Sequence, residues 1–169
     1  MKKSAVTFSP FLYIISGIII GFFLKFFVFD ILHISGHSME PTFMNNDSVV
    51  VFKLAYGIPS PSRNSFLLQW AVPKRNDIVI FLHDNKIVTK RCIAVSGDQL
   101  DFSTNSGYIL TVNDKNIFLT PQEYEKMNNY EKVPEGYVLV LGDNLSDSVD
   151  SRDYGFVSVK NITGKIISR

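Results

Sequence analysis

The chain has 169 residues, enough for one domain with a real core and an appended segment. Its 17 basic and 16 acidic residues give a net charge of +1, which argues against nucleic-acid binding because that function needs a clustered basic excess. A single cysteine excludes an internal disulfide bond and nearly excludes a cysteine-based zinc site. The three histidines lack a spacing such as H-E-x-x-H, so we expect no metal site and no cofactor.

The first segment is apolar and predicts a membrane anchor. Lys2 and Lys3 precede a run without charge from Val6 to Leu24. A helix rises about 1.5 Å per residue, so this run covers roughly the thickness of the hydrocarbon core of a bilayer. The alternative is a cleaved secretory signal, but the run is longer than a typical signal core and no A-x-A-like site follows it.

The lysines before the apolar run also predict the orientation of the chain. Positive charge stays on the cytoplasmic side of a membrane. We therefore predict a single-pass protein of the cell membrane with residues 1–5 in the cytoplasm, an anchor at 6–25 and an extracytoplasmic β-rich domain at 26–169.

After the anchor, short β-branched and aromatic runs alternate with turn residues. This pattern is typical of an antiparallel all-β domain with a barrel-like or sandwich-like shape. The predicted strands lie in 47–56, 76–83, 86–95, 108–119, 136–144 and 156–168.

Three further segments have predictions of their own. Asn113-Asp114 divides its apolar run in two, so we expect a hairpin there. The only helix candidate beyond the anchor is 120–130, with Pro121 at its first position. We predict that 57–75 is a long loop, although it is unusually apolar for one.

Ser38 and Lys90 are the residues most suggestive of chemistry. Ser38 lies in the turn "HSMEPT", and Lys90 interrupts an apolar strand. A lysine in apolar surroundings loses proton affinity and can serve as the base for a serine nucleophile. Taken alone, Ser38 could be turn polarity and Lys90 an edge-strand lysine. His33 and His37 are the rival bases, since histidine is the commoner base, but neighbours of a serine in sequence rarely reach its Oγ.

Strand alternation separates the neighbours of Lys90. Adjacent strand residues face opposite sides, so Arg91 is expected to be more exposed, and Cys92 is expected on the side of Lys90.

An acidic segment lies near the C-terminal end of the chain. Its carboxylates could form a solvated loop or a calcium site, but interleaved serines and an arginine favour a loop held by hydrogen bonds. The carboxylates are Asp143, Asp147, Asp150 and Asp153.

Several stretches in this order resemble bacterial type I signal peptidases. They are "FFVFDILHISGHSMEPTF", "PKRNDIVIF", "VTKRCIAVSGD" and "LGDNLSDSVDSRDYG", and they follow a single anchor. The resemblance spans nearly the whole chain. It implies a mostly antiparallel β domain outside the membrane, with a small accessory β-hairpin region at about 99–133.

The resemblance implies a catalytic role for Ser38 and Lys90. Ser38 matches the acylating nucleophile, and its backbone N–H matches a donor to the oxyanion. Lys90 matches the general base.

The same resemblance implies roles for residues around this pair. Ser148 matches the hydroxyl that orients the lysine, Asp143 matches a supporting acid, and Asp150 and Arg152 match a structural ion pair. The residues that match the nucleophile turn are Gly36, Met39, Pro41 and Thr42.

The chain departs from the family pattern at three positions. Gly36 lacks the hydroxyl with which some members donate to the oxyanion, which leaves the second donor unassigned. Leu145 replaces a residue that is often basic, so we expect rearranged contacts around Asp143. Asn76 replaces a common glycine in a turn.

The predicted function is a membrane-bound serine endopeptidase that removes signal peptides from exported preproteins. Narrow apolar pockets near Ile34 and Val88 would accept small side chains. The expected partners are preproteins and membrane lipid, without nucleic acid or metal. The alternatives are a peptidase dedicated to one conjugation or pilus-like protein, and a catalytically silent module that binds signal peptides.

Overall fold

The computed structural model describes residues 10–60 and 65–168. An N-terminal helix continues into a π-helical turn, and the rest is mostly strand. In chain order the elements are α1 (Pro10–Phe23), the π-turn (Leu24–Val28), β1 (Phe29–His33), β2 (Ser48–Phe52), β3 (Gly57–Pro59), β4 (Phe66–Gln69), β5 (Ile78–His83), β6 (Lys86–Val95), β7 (Asp101–Ser103), β8 (Ile109–Val112), β9 (Lys115–Phe118), α2 (Pro121–Met127), β10 (Tyr137–Leu141), a 3-10 turn (Leu145–Asp147), α3 (Ser151–Tyr154), β11 (Val157–Ser158), a second 3-10 turn (Val159–Asn161) and β12 (Ile162–Ser168).

The N-terminal helix is long and apolar enough to cross a membrane. From Pro10 to Val28 it has 19 residues with a mean hydropathy of 2.3, and none of it is buried against the rest of the chain. The predicted cytoplasmic segment 1–5 and the start of the predicted anchor at 6–25 lie outside the described residues.

A seven-stranded antiparallel sheet forms most of the domain. Its strand order is β1-β2-β12-β5-β6-β10-β11. Apolar side chains from both faces fill the core; Val49, Val79, Leu139 and Val140 are 0% exposed. The mostly β, antiparallel fold class predicted from the sequence is therefore confirmed.

Strands β7 to β9 form a second, three-stranded antiparallel sheet. The predicted hairpin is present, with positive φ angles at Asn113 and Asp114 that suit a tight turn between twisted strands. The predicted helix is also present as α2. Thr120 and Glu123 cap its first turn reciprocally, and Pro121 opens it.

Two segments differ from the sequence-based expectations. The predicted loop 57–75 is wrong in part, because β3 and β4 form a hairpin there. Their strands are too short to show a clear alternation of polar and apolar residues, which is the signal that identifies a strand in sequence. The run 156–168 is not one strand, since the turn at Val159–Asn161 separates β11 from β12.

Candidate active site

Ser38 and Lys90 line one cavity of about 480 Å³. Strand β1 with the turn that follows it forms one wall, and the first half of β6 forms the other. Ile34 and Val88, predicted to line a substrate pocket, both lie in this cavity. The fold therefore brings together groups that are far apart in the sequence.

Contacts on both sides hold the turn that carries Ser38. The Ser38 carbonyl accepts a hydrogen bond from the Asn144 N–H (3.0 Å), and the His37 carbonyl accepts one from Asn144 Nδ2 (3.2 Å). Met39 is 1% exposed and anchors the turn in the core. Its carbonyl accepts a hydrogen bond from the Phe43 N–H (2.9 Å). These contacts fix the backbone from which the Ser38 side chain projects.

Pro41 and Thr42, in contrast, are exposed at the end of this turn. Gly36 has a φ of 90°, a backbone conformation that favours glycine. Its N–H donates to Asn45 Oδ1 (3.0 Å), which accounts for that donor.

Lys90 is only 3% exposed, and its Nζ donates to Ser148 Oγ at 3.0 Å. Burial lowers the pKa of Lys90 because it disfavours the ammonium form. The negative charge of Asp150 opposes this shift, and the positive charge of Arg152 supports it. Lys90 thus has a hydroxyl partner that leaves its amine able to exist without charge.

Asp150 and Arg152 form a buried ion pair behind Lys90. The guanidinium Nε and Nη2 donate to the two carboxylate oxygens of Asp150, each at 2.9 Å. Arg152 Nη2 also donates to the carbonyls of Leu145 (2.9 Å) and Ser148 (3.2 Å). The arginine therefore holds the backbone of the residue whose hydroxyl meets Lys90.

Gly142 allows the loop that carries Ser148 and Asp150 to lie very close to the turn that carries Ser38. A side chain at this position would collide with Ser148 Oγ and with the Ser38 carbonyl. Its N–H donates to Asp150 Oδ2 (3.1 Å). Only glycine lets these three segments meet here.

Asp143 is held by Arg91, a contact that the sequence did not predict. Arg91 Nε and Nη2 donate to the two Asp143 oxygens at 2.7 and 2.6 Å. Burial opposes ionisation of Asp143, but the hydrogen bonds from Arg91 and Thr42 outweigh it and lower its pKa. Arg91 Nη2 also reaches Thr42 Oγ1 (3.3 Å), so it joins the acidic loop to the nucleophile turn.

Arg91 was expected to be the more exposed neighbour of Lys90, and its side chain is 21% exposed. Strand alternation correctly predicts that Arg91 is more exposed than Lys90, but it does not indicate that Arg91 binds Asp143. The available signal was that Asp143 needs a cation, and that Leu145 does not supply one. Cys92 is buried as Lys90 is, and burial raises the pKa of its thiol to about 12.

The histidines considered as alternative bases, and the aspartates considered as metal ligands, have other surroundings. His37 Nδ1 lies 2.8 Å from Glu40 Oε1 on the surface, and this carboxylate raises the pKa of His37. His33 lines the cavity from an exposed position. Within residues 10–60 and 65–168 no three His, Cys, Asp or Glu side chains converge as metal ligands would. Asp150 and Asp143 instead bind arginines.

A serine hydroxyl and a buried lysine in one cavity are the arrangement of serine hydrolases that use lysine as the base. The chain belongs to the signal peptidase family, peptidase S26, because a model of that family matches residues 7–169.

Individual relatives agree with this assignment. The chain is 34% identical over 161 residues to signal peptidase I of Bacillus caldolyticus, covering 85% of this chain and 80% of that one. It is 26% identical over 240 residues to signal peptidase I of Buchnera aphidicola subsp. Baizongia pistaciae, covering 98% and 76% of the two chains. A crystal structure of a signal peptidase I from Enterococcus faecalis V583 aligns with a TM-score of 0.41 and 26% identity, over 56% of this chain and 97% of that chain.

The family model and the two signal peptidase I relatives confirm the predicted family and activity: the chain is a serine endopeptidase of the type I signal peptidase class, whose substrates are preproteins with signal peptides. Among the described residues it has a single helix, near the N-terminal end, that is long and apolar enough to cross a membrane.

Proposed function

We propose that Ser38 and Lys90 form the catalytic pair that cleaves signal peptides from exported preproteins. Neutral Lys90 takes the proton of Ser38 Oγ, and the oxygen attacks the scissile carbonyl carbon. The oxyanion is held by the Ser38 N–H. The C–N bond then breaks, and Lys90 returns its proton to the leaving amine. Water, deprotonated by Lys90, hydrolyses the acyl-enzyme and regenerates Ser38.

The observation that carries this proposal is the surroundings of Lys90. Lys90 is 3% exposed and lines the same cavity as Ser38, and its Nζ lies 3.0 Å from Ser148 Oγ. A neutral amine is needed in the first step, and burial favours that form. Asp150 lies near Lys90 and raises its pKa, but Arg152, which forms an ion pair with Asp150, lowers it. Asp150 therefore does not restore the full proton affinity of Lys90.

The substrate would bind as an extended strand. Among the described residues, β1 pairs only with β2, and residues 86–90 of β6 pair only with β5. The cavity lies between these two strand edges. An extended peptide can hydrogen-bond to such an edge while its alternate side chains enter pockets. Ile34 and Val88 would limit those pockets to small apolar side chains.

The domain would work outside the cytoplasmic membrane and touch its surface. In this proposal residues 1–5 are cytoplasmic, 6–25 span the membrane and 26–169 are extracytoplasmic, with an accessory region at about 99–133. Lipid is the proposed partner of the β3–β4 hairpin and the residues after it, since Leu67, Leu68, Trp70 and Val72 are all more than half exposed. Tryptophan is enriched where membranes meet water.

Substitution of the pair tests the catalytic proposal. Ser38→Ala removes the nucleophile and Lys90→Ala the base, so each should lower preprotein cleavage at least ~1,000-fold. Cleavage in detergent is followed by mass spectrometry, which also maps the cut. Ser103→Ala, in β7, is the control and should keep wild-type activity. Cleavage near the wild-type rate by either variant, with a native circular dichroism spectrum, would refute the pair.

Thiol labelling tests the proposed orientation. Glu125 is exposed on α2, whereas Cys92 is buried with a raised pKa. A membrane-impermeant maleimide should label Glu125→Cys in intact cells, and leave the parent protein unlabelled. Labelling of that variant only after the cells are broken would place the domain in the cytoplasm.

A further inference from the structure

A second cavity of about 420 Å³ adjoins the catalytic cavity. Leu32 of β1 and Ile87 of β6 line both cavities. We call the second one the junction cavity, because its lining reaches from these two strands to Phe26 in the π-turn that ends the membrane helix. A continuous surface therefore leads from Ser38 to the end of the anchor.

Lys53, the residue after β2, fixes the membrane end of the junction cavity. Its Nζ donates to the carbonyls of Phe26 (2.6 Å) and Lys25 (3.2 Å), and it lies 3.7 Å from Asp30 Oδ2. Carbonyls at a helix C-terminus lack partners within the helix, and a lysine there satisfies them. The helix end is thus tied to the sheet, so Phe26 is a fixed wall of the cavity.

The lining suits an uncharged, apolar side chain. Val51, Ile80, Phe81 and Leu82 supply apolar surface. The charge of Lys53 is directed to Asp30 and to two carbonyls. A charged group entering the cavity would lose water without gaining a free partner of opposite charge.

We propose that the junction cavity binds side chains of the signal peptide roughly five to seven residues before the scissile bond, an inference that rests on the proposed function. Strand β1 runs from Phe29, next to the helix end, to His33, next to the catalytic cavity. A substrate extended beside it rises about 3.3 Å per residue and so needs a similar number of residues to cover the same path. The apolar part of a signal peptide leaves the membrane at this end of the path.

Two peptides and a filled cavity test this assignment. Both peptides have the same residues next to the cut, but the short one begins three residues before it, and the long one carries leucines five to seven residues before it. Wild-type full-length protein in micelles should cleave the long peptide with a kcat/KM about tenfold higher, as expected for burying apolar surface.

Thr163 of β12 lines the junction cavity but not the catalytic cavity. Thr163→Trp should therefore remove the advantage of the long peptide over the short one. It should leave cleavage of the short peptide unchanged. Leu82→Trp fills the cavity from β5 and should act in the same way. The control is Ile167→Trp, an exposed position of the same strand β12 that lines neither cavity, and it should keep the advantage.

The outcomes separate this inference from the proposed function. Equal cleavage of both peptides by the wild type, or an advantage that survives both tryptophan variants, would overturn the junction cavity as a substrate site while leaving the Ser38–Lys90 pair intact. If Thr163→Trp instead changed cleavage of the short peptide alone, and only when phospholipid vesicles are added, the cavity would be assigned to a lipid chain. That result would also overturn the junction cavity as a substrate site. Failure to cut either peptide would instead count against the proposed function.

Discussion

Two lysines of the main sheet show how surroundings set the chemistry of the same side chain. Lys90 on β6 and Lys165 on β12 each pair with Val79, the residue between them on β5. Lys90 is 3% exposed and its Nζ meets the Ser148 hydroxyl. The Lys165 side chain is 37% exposed, and its Nζ donates to Asp77 Oδ1 at 2.6 Å.

The difference lies in the partner as much as in burial. A carboxylate stabilises an ammonium, whereas a hydroxyl accepts a hydrogen bond without adding negative charge. The acid with the largest effect on the charge of Lys90 is Asp150, whose oxygens accept hydrogen bonds from Arg152. The sheet therefore contains one lysine suited to hold a charge and another suited to lose it.

The largest expected effect comes from making the same substitution at both lysines. An arginine cannot lose its proton in this pH range, so Lys90→Arg should lower kcat/KM on a preprotein at least ~100-fold. Lys165→Arg keeps the ion pair with Asp77 and should stay within about twofold of the wild type. The assay is initial-rate cleavage, with circular dichroism to verify folding.

Equal losses at the two positions would contradict the distinction between them. So would a folded Lys90→Arg variant with more than a tenth of the wild-type rate, since a permanently charged side chain cannot accept the proton of Ser38.

The second effect concerns the pH profile of cleavage. Burial lowers the pKa of Lys90 and Arg152 supports that shift, whereas Asp150 opposes it. Arg152→Leu should therefore raise the pKa of Lys90. A base works only above its own pKa, so the acidic limb of the kcat/KM profile should move to higher pH, with a loss of about tenfold near pH 7 that recovers as pH rises.

A double variant controls for the buried charge that Arg152→Leu leaves behind. Asp150→Asn combined with Arg152→Leu removes both charges and should move the acidic limb back toward the wild-type position. A limb that stays at the wild-type pH in folded Arg152→Leu protein would show that this ion pair does not act on Lys90.

The sequence was sufficient to predict Ser38 and Lys90 as the proposed catalytic pair and to place Lys90 on a strand. Ser38 and Lys90 lie in short patterns whose order along the chain is specific. The alternation of β6 distinguished buried Lys90 from Arg91 beside it. These features depend on local sequence, because a strand's faces and a turn's residue types are set by neighbours along the chain.

The contacts between distant segments could not be obtained in this way. Arg91 meets Asp143 only because β6 pairs with β10 in a register that brings Arg91 opposite Leu141, two residues before that acid. Lys53 meets the helix end only because β1 folds back along β2. Such pairs depend on sheet register, which the sequence of one strand does not specify.

The smallest effect should appear in stability at the other lysine. Burial opposes ionisation of Asp77, but hydrogen bonds from Lys165, the Lys74 N–H and Tyr56 outweigh it and lower its pKa below the ordinary 3.8. A lowered pKa contributes stability that is present above the unfolded value and is lost as pH falls through the folded value. Asp77→Asn should therefore reduce the free energy of unfolding by about 1–2 kcal/mol at pH 7.

The same reasoning fixes the pH dependence of that loss. Because protonated Asp77 no longer attracts Lys165, the difference in unfolding free energy between wild type and Asp77→Asn should shrink as pH falls below about 4. Denaturant unfolding in micelles at a series of pH values measures it. A difference that stays constant from pH 7 to pH 2.5 would mean that Lys165 and Asp77 do not interact through charge. Cleavage near pH 7 should stay within about twofold of the wild-type rate, since the pair with Lys165 acts on the stability of the sheet whereas Lys90 is the proposed base of the reaction.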